Sequence, residues 1–138
     1  MTNRFFVDTS FLYALANRRD QYHARAIQAR DMLEASDELF VTDLILYEVG
    51  NNMSLSDKRR AALRLIEQLV ELDQCTLIFT DELIYEKAFS LFKKHIDKPW
   101  GLVDCASFVV MKELSVQYAL TADKHFEQAG FIAVLNTL

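Results

Sequence analysis

The sequence FFVDTS at positions 5–10 decides our interpretation of the fold. Three apolar residues lead directly into Asp8, two hydroxyl residues follow it, and no other charged side chain occurs from position 5 to position 17. This pattern predicts a short buried strand that stops at Asp8 and a helix that begins at Thr9 or Ser10. Because ligands of an open parallel sheet bind just beyond the carboxyl ends of its strands, we expect Asp8 to lie at a functional site.

Strand-like and helix-like patterns alternate along the rest of the chain. We predict strands at residues 4–8, 39–42, 75–79, 116–121 and 131–135. We predict helices at residues 9–17, 21–35, 43–50, 56–70, 81–95, 102–114 and 123–129. The alternation predicts a single doubly wound α/β domain over residues 1–138, with a mostly parallel sheet and helices on both of its faces.

Several local features of these helices are also predicted. On the second helix the expected inward side chains are Ala24, Ile27, Met32 and Leu33. On the helix after the third strand they are Leu83, Ile84, Ala88, Leu91 and Phe92. Asp43 is the expected N-cap of the third helix, because an aspartate before an apolar periodic run accepts hydrogen bonds from the first free N–H groups.

Composition and charge limit the class of protein. The chain has 138 residues, 51% of them hydrophobic and 25% charged, which fits one domain that can bury roughly two thirds of its unfolded surface. There is no basic leader followed by a long apolar core, and no run approaches the ~18 apolar residues of a membrane helix. Cys75 and Cys105 lack metal-ligand spacing and are interpreted as buried, reduced thiols. We therefore expect a cytoplasmic protein.

The net charge of −5 is unexpected for a protein that binds nucleic acid, because such affinity comes largely from neutralising phosphates. It does not exclude one, since cations bound at an acidic site invert the local field. Cationic side chains form three clusters, Arg18-Arg19 with Arg25, Lys58-Arg59-Arg60 with Arg64, and Lys93-Lys94 with Lys98. They can guide RNA only if they surround an acidic pocket; otherwise they are solvated helix faces.

Four acids do not fit ordinary polar faces. Asp8 and Asp123 each follow an apolar strand, and Glu48 lies on the same helical face as Leu44. Asp104 is the only charge from position 100 to position 111. Each has a structural alternative: Asp8 and Asp123 as N-caps, Glu48 turned to solvent, and Asp104 interacting with a helix dipole.

The joint placement of these acids favours a metal site. If the strand order reverses between the first and fourth strands, all four converge at that switch point. Packed carboxylates repel one another, so a divalent cation has to compensate, and oxygen ligands favour Mg²⁺ or Mn²⁺. Such a site suits phosphodiester hydrolysis. Hydroxyls of Thr9, Ser10 and Thr121 either contact a phosphate or a metal-bound water, or only cap helices. His125 either contacts a leaving group or, as the favoured interpretation, is a surface side chain on a short helix.

Four motifs in order resemble those of PIN-domain ribonucleases, and among them the VapC-like toxins of bacterial toxin–antitoxin pairs. The motifs are VDTS at 7–10, the segment from Thr42-Asp43 to Glu48, LVDCAS at 102–107 and ALTADKHF at 119–126. The resemblance spans nearly the whole chain, and its specificity comes from the ordered set because no single motif is specific.

The resemblance implies a fold, an activity and partners. It implies the strand order 3-2-1-4-5 and an endoribonuclease that depends on Mg²⁺ or Mn²⁺, with Asp8, Glu48, Asp104 and Asp123 as the acidic quartet that binds metal and catalyses. It also implies RNA as substrate, a cognate antitoxin that blocks the site, and a homodimer.

Two other functions stay open at this point. A phosphatase could use Asp8 as a covalent nucleophile, but such sites usually need a second acid two residues later, where this chain has Ser10. A non-catalytic PIN-like domain could bind RNA or a partner through a vestigial site, although the presence of all four acids argues against loss of function.

Overall fold

Buried apolar strands form the centre of the molecule. The computed structural model of the chain describes residues 3–138, with residue 56 described by its backbone alone. The strands are β1 (Arg4–Val7), β2 (Glu38–Thr42), β3 (Cys75–Ile78), β4 (Tyr118–Leu120) and β5 (Ile132–Ala133). They pair in parallel in the order β3-β2-β1-β4-β5. The doubly wound α/β fold and its strand order are therefore confirmed.

Helices alternate with these strands and cover the sheet. They are α1 (Thr9–Ala16), α2 (His23–Glu34), α3 (Asp43–Asn52), α4 (Ser56–Glu71), α5 (Glu82–Lys94), α6 (Leu102–Glu113) and α7 (Lys124–Gln128). A short 3₁₀ turn, Val134–Thr137, follows β5, so the last strand is shorter than predicted. None of the helices described over residues 3–138 has the length and apolar character needed to span a bilayer.

The central strand β1 positions the site. Phe6 and Val7 have no exposed surface, and β2 and β4 flank β1 on its two sides. The backbone N–H of Asp8 continues the pairing by donating to the carbonyl of Leu120, 3.3 Å away. The carboxyl ends of β1 and β4 therefore lie side by side, which places the residues after them at one edge of the sheet.

The N-cap of α3 is Thr42, so the prediction of Asp43 was wrong by one residue. The Thr42 hydroxyl accepts the hydrogen bond from the N–H of Ile45 at 3.3 Å. Asp43 instead accepts from the N–H and the hydroxyl of Thr80, at 2.9 and 2.7 Å. The Asp43 carboxylate thus joins the start of α3 to the segment after β3.

The inward face of α2 also differs from the prediction. Ala26, Ala29 and Leu33 are buried, whereas Ala24, Ile27 and Met32 are exposed. The helix lies against α1, and the small alanine side chains allow a close approach there. The prediction followed hydropathy and chose the larger Ile27 and Met32 as inward residues. The space beside α1 favours the smaller alanine side chains.

On α5 the buried stripe is narrower than predicted. Ile84 and Ala88 are buried and Leu91 packs beside them, in line with the prediction and with contact to α6. Leu83 is 55% exposed and Phe92 is 44% exposed, because they flank the stripe that faces α6. The prediction of both as inward was wrong.

Candidate active site

Asp8 follows β1 and is held by two hydroxyls from opposite ends of the chain. It is only 4% exposed, and its Oδ2 atom accepts from the Thr121 hydroxyl at 2.8 Å and from the Ser10 hydroxyl at 3.1 Å. Asp8 is also the N-cap of α1, since it accepts from the N–H of Ser10. The other oxygen, Oδ1, has only a long contact of 3.5 Å with the Thr9 hydroxyl.

The two hydroxyls have their own backbone donors. The N–H of Asp123 donates to Thr121 Oγ1 at 3.0 Å, and the N–H of Ala122 donates to Ser10 Oγ at 3.2 Å. Each hydroxyl accepts from a backbone N–H on one side and lies within hydrogen-bond distance of Asp8 on the other. Ser10 and Thr121 therefore fix the orientation of Asp8, a role that the sequence did not predict for them.

The pKa of Asp8 is raised from 3.8 to about 6. Burial is the main cause, because it disfavours the charged form; the hydrogen bonds from Thr121 and Thr9 lower the pKa, and the nearby charges of Asp104 and Asp123 raise it. Asp104 and Asp123 thus lie close enough to Asp8 for their charges to act on it.

Asp104 and Asp123 meet at His125. The His125 Nδ1 atom lies 3.0 Å from Asp104 Oδ2 and 3.4 Å from Asp123 Oδ1. One ligand atom of each of the three side chains lies within 4.8 Å of the others, and this is the group of potential metal ligands found among residues 3–138. The sequence expectation of a surface histidine was wrong, because the His125 side chain is 22% exposed and lies between two carboxylates.

Both carboxylates also accept hydrogen bonds from backbone N–H groups at helix N-termini. Asp104, in the first turn of α6, accepts from the N–H of Gly101 at 3.0 Å, and Asp123 caps α7 by accepting from the N–H of His125 at 2.9 Å. The positive ends of the two helix dipoles favour negative charge at these positions. The structural alternatives for Asp104 and Asp123 are therefore correct, and they coexist with a shared acidic site.

Glu48 is the fourth acid of the predicted quartet. It is half-buried in the middle of α3 and is not part of the group around His125. The Tyr13 hydroxyl donates to the Glu48 backbone carbonyl at 3.1 Å and accepts from Asn52 Nδ2 at 2.6 Å. Burial raises the pKa of Tyr13, and the charges of Glu48 and Asp8 raise it further. Tyr13 therefore lies where the charges of Glu48 and Asp8 act on it, and its hydroxyl contacts the Glu48 backbone and not the carboxylate.

The site carries an excess of negative charge. Within the described residues 3–138, no lysine or arginine forms an ion pair with Asp8, Glu48, Asp104 or Asp123. The ion pairs of Arg4, Lys87 and Lys98 all involve other acids. The donor set of carboxylate oxygens with one imidazole nitrogen is one that divalent cations accept in proteins.

The comparison with models of known families identifies the family of this chain. The model of the PIN domain matches residues 5–132. This chain belongs to the PIN domain family.

Relatives of this PIN domain include characterised nucleases. It is 28% identical over 137 residues to the 23S rRNA-specific endonuclease VapC20 of Mycobacterium tuberculosis. That alignment covers 94% of this chain and 96% of VapC20. It is 29% identical over 114 residues to a VapC ribonuclease of Archaeoglobus fulgidus, covering 80% of this chain and 72% of that protein.

A solved structure shows the same fold. The crystal structure of Mycobacterium tuberculosis VapC20, described as a sarcin–ricin loop cleaving toxin, superposes on the PIN domain with a TM-score of 0.83 and 25% sequence identity. The match covers 94% of this chain and 97% of that chain.

We predict that Asp8→Asn stabilises the metal-free PIN domain at neutral pH. The raised pKa means that native Asp8 holds its proton up to about pH 6 whereas the unfolded chain loses it near 3.8. Between these values the native state binds more protons, so stability falls as pH rises and the loss is complete above about pH 6. The difference corresponds to about 3 kcal/mol, since one pKa unit is about 1.36 kcal/mol.

Urea unfolding in EDTA at about pH 4 and about pH 7.5 tests this. The stability gained by Asp8→Asn over wild type should grow by about 2.4 kcal/mol between the two pH values, because unfolded Asp8 is already partly ionised at about pH 4. The matched control is Asp73→Asn, because Asp73 is exposed and should give no such pH-dependent difference. A gain that does not change with pH would show that Asp8 ionises normally.

Proposed function

We propose that this protein is a metal-dependent endoribonuclease that hydrolyses RNA phosphodiester bonds, and that it is the toxin of a toxin–antitoxin pair. The observation that carries the proposal is the convergence of Asp8, Asp104 and Asp123 at the carboxyl edge of a PIN-family sheet, with no lysine or arginine paired to them in residues 3–138. Relatives named as an rRNA endonuclease and a ribonuclease support the same chemistry.

The proposed cofactor is Mg²⁺ or Mn²⁺. Asp104 and Asp123 are the side chains we assign to hold it directly, with Asp8 and Glu48 completing the quartet as ligands or as acceptors for its water molecules. His125 offers a nitrogen ligand beside them. Such a cation supplies Lewis-acid activation of the phosphate and of water, together with charge stabilisation of the leaving oxygen.

The protein side chains have separable tasks in this proposal. Thr121 and Ser10 hold Asp8 Oδ2, which leaves Oδ1 to face a ligand or accept a proton. The raised pKa of Asp8 without metal means that a bound cation would favour its charged form and offset the cost of its burial. Gly101 N–H orients Asp104, and the α7 cap orients Asp123, so each acid is preorganised before RNA binds.

The phosphatase alternative lacks its second acid. The position two residues after Asp8 is Ser10, and its hydroxyl bonds to Asp8 Oδ2 itself. No carboxyl group is therefore available there as the acid–base partner that an aspartate nucleophile needs.

We extend the proposal to the whole chain and its partners. Residues 1–138 form one PIN-like domain, which is supported by a single hydrophobic cluster that joins the described strands and helices. The proposed partners are an RNA substrate, a cognate antitoxin and a second copy of the chain, in the cytoplasm. Large exposed apolar side chains such as Leu55, Phe79 and Leu83 are consistent with protein partners.

We predict that Asp104→Asn lowers RNA cleavage by about 100-fold or more, since it removes a charged ligand worth several kcal/mol in the transition state. The measurement is the initial rate of cleavage of purified 23S rRNA and of total RNA with Mn²⁺, followed by mapping of the new ends. Asp73→Asn is the control with the same change of charge. Circular dichroism should be unchanged, and full activity of Asp104→Asn would remove Asp104 from the site.

We also predict that Mn²⁺ or Mg²⁺ raises the melting temperature of wild type, because the folded state alone gathers the ligands. A cation at 100 times its dissociation constant adds about 2.7 kcal/mol, which is several degrees for a domain of this size. The shift should disappear in Asp104→Asn/Asp123→Asn. An equal shift in that variant would show that the cation binds elsewhere.

A further inference from the structure

A cavity lies between α1, α3 and the start of α4. Its volume is about 720 Å³, and its polar lining includes Tyr13, Asn17, Arg19, Asn52 and Lys58. This is within the size range of ligand pockets, and it accommodates roughly one or two nucleotides. We refer to it below as the entry cavity.

Tyr13 connects the entry cavity to α3. Its hydroxyl bonds to the Glu48 carbonyl and to Asn52 Nδ2, and its ring lines the cavity. Because the Tyr13 hydroxyl contacts the Glu48 carbonyl and its side chain lines the cavity, the cavity adjoins the turn of α3 that carries Glu48.

The cations of the entry cavity come from two of the three clusters noted in the sequence. Arg19 follows α1 and Lys58 lies in the first turn of α4, and folding brings both to one wall. Neither forms an ion pair with a carboxylate within residues 3–138. Asp57 lines the same cavity, so the wall is not purely cationic, but the two cations still give it a net positive charge.

The amides of the entry cavity add polar donors and acceptors. Asn17 Oδ1 accepts from the backbone N–H of Arg19 at 3.0 Å, which fixes the turn that carries the guanidinium. Asn52 uses Nδ2 for Tyr13 and keeps its carbonyl oxygen for another donor. Amides and guanidinium groups read the edges of unpaired bases, whereas duplex RNA is recognised mainly by its shape and backbone.

We propose that the entry cavity holds the unpaired RNA segment next to the scissile phosphate, with Arg19 and Lys58 each contacting a backbone phosphate and Asn52 contacting a base or sugar. This inference rests on the proposed nuclease function. It also explains how an acidic chain holds RNA: the two cations offset the repulsion between phosphates and the acidic quartet at the point of entry.

Binding of a fluorescein-labelled single-stranded RNA of about 12 nucleotides tests the inference. All proteins carry Asp8→Asn and are measured with Mg²⁺, so that binding is observed without cleavage. Arg19→Gln/Lys58→Gln should weaken binding by about 10-fold, and the slope of log affinity against log salt should decrease by about 1.4, or about 0.7 for each lost phosphate contact.

The chain offers a matched control in Arg18→Gln/Arg60→Gln. Arg18 and Arg60 are exposed neighbours of the two cavity cations, lie outside the cavity lining, and their removal changes the net charge equally. We expect this control to bind within about twofold of the parent, because only screened, long-range charge is lost. Arg19→Lys/Lys58→Arg should retain binding.

Cleavage kinetics complete the test in proteins that keep Asp8. Arg19→Gln/Lys58→Gln should raise KM by about 10-fold with kcat nearly unchanged, because the contacts hold RNA in the ground state and the transition state alike. Equal loss of binding in the cavity variant and its control, or no loss in either, overturns the inference.

The two proposals fail in different ways. If only the cavity variant loses RNA binding but the wild type does not cleave RNA, RNA binding at the entry cavity is retained and the nuclease proposal is rejected. Cleavage by wild type with an unaffected cavity variant rejects the cavity alone. A wild type that neither binds nor cleaves RNA rejects both.

Discussion

The pairing of β1 with β4 is the constraint on which the site depends. These strands are far apart in sequence, yet their parallel register places Asp8 beside Thr121 and the loop that follows it. The Asp8 carboxylate is buried there, where a charge is costly unless hydrogen bonds or a cation compensate. Two hydroxyls supply part of that compensation, and the pKa of about 6 shows that they do not supply all of it. The protein therefore accepts a locally unfavourable carboxylate, which is the usual condition of a ligand-binding site.

Helix N-termini explain how several acids can share so small a region. Asp8 caps α1, Asp123 caps α7, and Asp104 accepts the N–H of Gly101 at the start of α6. Each carboxylate thus meets backbone donors and the positive end of a helix dipole, which offsets part of the mutual repulsion. The sequence analysis treated capping and ligand binding as alternatives for Asp8 and Asp123, whereas the helix-dipole role of Asp104 was compatible with metal binding. In the structure, capping orients the acids and leaves their remaining oxygens available.

Features set by neighbouring residues could be predicted from the sequence. Features set by contacts between residues that are distant in sequence could not. The strand that ends at Asp8 was predicted from local pattern, because apolar runs followed by capping residues are signals within a few positions. The strand order came from the family resemblance. The faces of α2 and α5 depended on packing partners, so Ala26 replaced Ile27 inside and Leu83 remained outside. The position of His125 between two carboxylates was not predicted, because it depends on Asp104, which is adjacent only in the folded chain.

The distribution of charge matters more for RNA than its total. A net charge of −5 gives a poor general affinity for phosphates, yet much of the negative charge that bears on function is concentrated in one acidic site. Arg19 and Lys58 both line the entry cavity, where the proposed RNA path meets positive charge. Interactions between exposed charges are screened beyond about 10 Å in ordinary salt. The local arrangement of charge therefore affects the final approach of RNA more than the net charge of the whole molecule does. An acidic protein of this design binds RNA weakly at most of its surface, which favours selectivity for the segment that fits the cavity.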